Sequence, residues 1–156
     1  MKKYLVAVAL AASLAQPAAA ITFPTLTTIY VGSGVTDNGG ASQTGVATTI
    51  FCSNVSGADV QVRVLILSAG GSVRGTPRTA TLVHGQTGTF STHATALFTD
   101  EDFLLNTGSV GQGVVNVEAT NSAIFCTATI LDAAASVPNG IPLHLVRVNP
   151  HPGTVE

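Results

Sequence analysis

The only two cysteines of this 156-residue chain stand in identical tripeptides, Ile50-Phe51-Cys52 and Ile124-Phe125-Cys126. No other feature narrows the possible folds as much, because a bond between them ties an early part of the chain to a late one. A Cys52–Cys126 disulfide closes a loop of about 75 residues, and in the chain-entropy account this stabilises the fold by about 4.5 kcal/mol at most. That is comparable with the whole stability of a small domain, about 5–15 kcal/mol. Such a bond needs an oxidising compartment.

The N-terminus is consistent with one. Lys2 and Lys3 precede an apolar run from Tyr4 to about Ala15, and Gln16-Pro17-Ala18-Ala19-Ala20 follows. This is the pattern of a cleavable bacterial-type secretory signal over residues 1–20, with an Ala-x-Ala site and a cut expected after Ala20. The run is too short to span a bilayer core of about 30 Å. The expected location is therefore secreted or periplasmic, with no membrane span after cleavage.

Beyond Ala20 the chain is rich in Thr, Val and Ile, apolar residues alternate with polar ones, and glycine or asparagine interrupts about every ten residues. Strands are predicted at 26–31, 45–53, 60–68, 79–83, 87–92, 113–119, 123–131 and 143–148. Turns fall at 37–40, 56–57, 70–71, 84–85, 120–122 and 138–140, where Gly and Asn accept hairpin geometry. Thr99, Asp100, Glu101 and Asp102, followed by Phe103-Leu104-Leu105, have the character of a capped helix start, so one short helix or turn is expected near 99–106. The predicted organisation is a single all-β domain over 21–148, with an extended tail at 149–156.

Because side chains alternate along a strand, Val46, Thr48, Ile50 and Cys52 share one face, and Ile124, Cys126, Ala128 and Ile130 share another. Val60, Val62, Val64 and Ile66 alternate with Gln61 and Arg63 in the same way. Packing these apolar faces together gives an antiparallel β-sandwich of seven to eight strands, with one cysteine expected in each sheet. The placement resembles the bridge between the second and sixth strands of immunoglobulin-like sandwiches, which implies that architecture. Phe51 and Phe125 then point away from the core.

Composition excludes several functions. Both lysines leave with the signal, so four arginines face eight carboxylates, a balance that disfavours nucleic acid and anionic lipid. The low charge density opposes self-association only weakly. His84, His93, His144 and His151 show no paired-ligand spacing, and neither cysteine has the His, Met or second Cys that zinc, copper or haem sites require. No cofactor is expected. Tyr30 is the one Tyr or Trp left in the mature chain, too few for sugar-stacking platforms.

These features point to an exported non-enzymatic structural or protein-interaction module, a subunit of a cell-surface or extracellular assembly, with Phe51, Phe125 and Tyr30 as contact residues. The strand-prone segment 21–31 would either pair with a neighbour's sheet edge or form the domain's own first strand. The alternative is a small secreted metal-binding protein or hydrolase centred on His93 and the acidic run Asp100 to Asp102. A Ser91-His93-Asp100 triad lacks the strained elbow that presents a nucleophile.

Overall fold

The computed structural model describes residues 25–98 and 103–148. The expected leader and its cut, the acidic run Asp100 to Asp102 and the tail from 149 onward lie outside the described residues. Among the described residues there are ten strands and no helix: β1 (Thr27–Asp37), β2 (Val46–Asn54), β3 (Val60–Ser68), β4 (Val73–Leu82), β5 (Thr87–Ser91), β6 (Phe103–Leu104), β7 (Val110–Ala119), β8 (Ile124–Asp132), β9 (Ile141–Leu143) and β10 (Val146–Arg147).

They form two five-stranded sheets, ordered β10-β1-β7-β3-β4 and β6-β5-β2-β8-β9, packed face to face. Every pairing is antiparallel except the short parallel contact of β5 with β6. The core is the set of inward positions that alternation picks out. Val60, Val62, Val64 and Ile66 of β3 are buried, as are Val115 and Val117 of β7, opposite Ile50, Cys52, Phe90, Ile124 and Cys126. The fold is thus an all-β sandwich, as expected.

The disulfide forms between Cys52 and Cys126, but not across the sandwich. The two residues are direct partners on β2 and β8, neighbouring strands of one sheet, with Cα atoms 4.2 Å apart. The expectation of one sulfur from each sheet is therefore corrected. Alternation aims both inward, but it cannot say which strands are neighbours.

Two further expectations change, and one open alternative is decided. Phe103 and Leu104 of the anticipated helix are β6, paired with Phe90 and Ser91, and the Phe90 and Phe103 rings stack at 4.9 Å. Segment 27–31 belongs to the domain's own β1, hydrogen-bonded to β7 on one side and β10 on the other, so it is no free donor strand. The single last strand predicted at 143–148 is two short ones: β9 borders β8, then the chain crosses at His144-Leu145 and β10 borders β1 in the other sheet.

The flank opposite this crossing is closed by a contact between sheets. Thr76 N–H donates to Leu105 O at 2.7 Å, and Arg78 Nε–H donates to Leu104 O at 3.1 Å. Gly75 makes this approach possible. Its φ is +66°, and a Cβ there would collide with the carbonyl of Leu105.

Candidate functional site

Three groupings bring chemically capable side chains together. The first surrounds Asp37, the last residue of β1, which is 1% exposed. Its Oδ1 accepts from Gly39 N–H at 2.6 Å, and its Oδ2 is 2.7 Å from His93 Nδ1 and accepts from Thr107 Oγ1 at 3.2 Å. A buried carboxylate needs this many donors, since an unpaired one costs several kcal/mol. The other ring nitrogen of His93, Nε2, is 3.1 Å from Thr44 O. Both partners of the ring are acceptors, so making both bonds at once takes a proton on each nitrogen.

The effect of this cluster is to fasten the 38–45 loop, the 92–98 segment and the start of the 107–109 segment to the end of β1. A histidine acting as general base or metal ligand needs one nitrogen turned toward its substrate or ion. In this arrangement both nitrogens lie within hydrogen-bond distance of acceptors of the protein itself. Among the described residues no group of three His, Cys, Asp or Glu is placed to hold a metal ion. The Ser91 hydroxyl is buried, 2.7 Å from that of Thr49.

The second grouping lies on the flank where the chain crosses from β9 to β10. Tyr30 is only 6% exposed, and lines a notch rather than standing out from the surface. Its hydroxyl donates to Ile124 O at 3.0 Å. Arg147 lies over the ring, 5.3 Å from its centre, and donates to Tyr30 Oη at 2.8 Å, to Ile124 O at 3.2 Å and to Ser122 O. Next to this clamp is an open notch of about 370 Å³, whose lining includes Tyr30, Phe125, Cys126, Leu143, His144 and Leu145.

Phe51 and Phe125 both lie on the outer face of their sheet, as alternation requires, but their surroundings differ. Phe51 is half-buried beneath the 92–98 segment, where Phe98 meets it edge-on at 4.9 Å. Phe125 is 62% exposed. Of the eight exposed large apolar side chains among the described residues, Phe125 is on β8, Ile141 on β9, Val146 on β10 and Val148 just beyond it.

The third grouping is an ion pair on the outer face of the other sheet. Arg63 Nε–H donates to Glu118 Oε2 at 2.6 Å, and Asn116 Nδ2 reaches Glu118 Oε1 at 3.4 Å. A second groove, about 460 Å³, runs over Ser33, Gly34, Ala69, Gln112, Gly113 and Val114 and has no charged side chain in its lining.

The other histidines have plain positions. His84 Nδ1 accepts from Gly57 N–H at 3.1 Å in a turn contact, His144 is exposed at the notch, and His151 lies outside the described residues. The Asp37–His93–Thr107 cluster was missed in the sequence because its members are 56 and 70 residues from Asp37. No local spacing announces it. Arg147 had a weak signal, a lone cation in an apolar last strand.

No family model matches the chain, and no curated protein is similar to it. A solved structure, that of PfGH50B, is similar at 14% identity over 69% of this chain, with a TM-score of 0.33. The chain spans 16% of the length of that protein. No helix among the described residues is long and apolar enough to cross a membrane.

Proposed function

We propose that this chain is an exported, non-enzymatic β-sandwich module that works by protein contact, as a subunit of a cell-surface or extracellular assembly, with immunoglobulin-like architecture. The observation that carries the reading is the exposed Phe125, 62% open to solvent on the outer face of β8. A large aromatic ring exposed on an outer sheet face is apolar surface that a partner would cover. The disulfide supports an oxidising location. The placement of both His93 nitrogens against Asp37 and Thr44 favours this reading over a hydrolase or metal site built on that histidine.

The low charge of the chain directs the first test to self-association. Sedimentation velocity across a wide concentration range should show association for the wild type, and a shift to monomer for Phe125→Ser and Ile141→Ser with unchanged circular dichroism. Association that persists in both variants would remove this surface from the reading.

A further inference from the structure

We infer that Cys126 Sγ is a site of thiol–disulfide exchange in the folded protein, open to an incoming thiolate through the notch between β9 and the Tyr30–Arg147 clamp. The inference is independent of the proposed interaction role. It comes from where β9 stops. On β8, the backbone edge is covered at Ala128, Thr129 and Ile130 by Leu143, Pro142 and Ile141 of β9. At Ile124 it is covered by Tyr30 and Arg147. Cys126 lies between the two covers, and the notch is there.

The two sulfurs are not equally placed. Cys52 is wholly enclosed, with 0% exposure, because β2 is flanked by β5 and β8. Cys126 is 5% exposed and lines the notch. Exchange proceeds by attack in line with the bond being broken, and depends on access to the sulfur attacked. The disulfide runs between β2 and β8, so the side of Cys126 away from Cys52 is the position a longer β9 would have filled. Where β9 leaves the sheet, the notch provides that approach.

The step balances without another reactant. A thiol gives up its proton to solvent, and its thiolate bonds to Cys126 Sγ. The Sγ–Sγ bond breaks, and Cys52 leaves as a thiolate that takes up a proton. The product is a mixed disulfide on Cys126 and a free thiol at Cys52. A second thiol attacking the mixed disulfide would complete reduction. The reagent class is a thiolate narrow enough for a space of about 370 Å³, either a free small thiol or one carried on a protein dithiol.

The oxidised protein, in buffer without denaturant, is treated with glutathione over a range of concentrations, then quenched into denaturant containing excess iodoacetamide, so that enclosed thiols are also alkylated, and mapped by peptide mass. The expected rate is proportional to thiol, so about tenfold more glutathione reacts about tenfold faster, with no acceleration by urea below the unfolding transition. The glutathione adduct should be on Cys126 and the alkyl group on Cys52. Leu145→Ala, which removes part of the notch wall, should raise the proportionality constant. A parallel arm uses a reduced Cys-x-x-Cys oxidoreductase: reaction in that arm alone assigns a protein donor, and reaction with glutathione alone assigns a small thiol. Rates in both arms that level off at the independently measured unfolding rate would overturn the inference, as would an adduct on Cys52 or a Leu145→Ala constant equal to wild type.

Discussion

Cys52 and Cys126 face each other at one register position of neighbouring antiparallel strands, with Cα atoms 4.2 Å apart. That separation is characteristic of a non-hydrogen-bonded pair, about 4.5 Å, rather than a hydrogen-bonded one, about 5.5 Å. Around it the β2–β8 ladder runs unbroken from Val46↔Asp132 to Asn54↔Ile124. The bond therefore staples a ladder that the backbone already holds in register. It does not hold the two sheets together.

The removal of both cysteines should consequently lower stability without changing topology. Cys52→Ala with Cys126→Ala is expected to cost about 3 kcal/mol, mostly through the freed unfolded chain. Urea denaturation gives the energy, and hydrogen exchange along β2 and β8 tests whether the ladder survives. Loss of protection throughout both strands would mean that the bond, not the ladder, sets the pairing.

The pair Asp37 and His93 should behave as a coupled unit. His93→Ala removes a donor from a carboxylate that is 1% exposed, and breaking a buried pair in this way costs about 3 kcal/mol. Asp37→Ala in the His93→Ala background should cost much less than it does alone. A double-mutant cycle in chemical denaturation measures the coupling, and additive costs would show that the two residues act separately.

The clearest strand in the sequence was β3. Its prediction at 60–68 coincides with Val60–Ser68 because four aliphatic residues, Val60, Val62, Val64 and Ile66, recur at every second position, with Gln61 and Arg63 between the first three. β4 was recognised only at its end. Its first half carries Arg74, Gly75, Thr76, Pro77 and Arg78, and such residues mark an edge strand whose side chains are exposed, so no apolar alternation announces it. β1 was cut short at Val31 because Gly32, Ser33 and Gly34 have the composition of a turn. The strand continues through them with register shifts between Ser33, Val35 and Asp37, and Gly34 takes a φ of +95°.

What the sequence could not supply is adjacency. Period two tells which face a residue occupies, not which strand is its neighbour. This is why the cysteine pairing was legible and its placement within one sheet was not. For the same reason the Asp37–His93 contact was invisible, while the outward direction of Phe51 and Phe125 was not.

Gly75 carries two separable demands, a positive φ and a close approach. Gly57 has φ +83° with open space around its missing Cβ, so Gly57→Ala pays for conformation alone, about 1 kcal/mol. Gly75→Ala must also push away the Leu105 carbonyl and disturb the Thr76–Leu105 hydrogen bond, and should cost at least about 2 kcal/mol more. Thermal denaturation of the two variants side by side makes the comparison. Equal costs would show that the 104–107 segment can move aside freely.

Arg147 secures the crossing segment through geometry that a lysine cannot copy. Its guanidinium donates to Tyr30 Oη and to the carbonyls of Ile124 and Ser122 while lying over the Tyr30 ring. The planar fork serves several acceptors at once, whereas an ammonium presents a single compact charge. Arg147→Ala should cost about 2 kcal/mol, and Arg147→Lys should recover less than half of it. Tyr30→Phe, which deletes one hydroxyl and leaves the ring in place, should cost about 1 kcal/mol. The local readout is exchange of the Val148 amide, which donates to Ile29 O at 2.9 Å and depends on β10 staying docked. That amide should exchange faster in Arg147→Ala by more than the global loss of stability accounts for, and protection equal to wild type would show that β10 is held by its pairing with β1 alone.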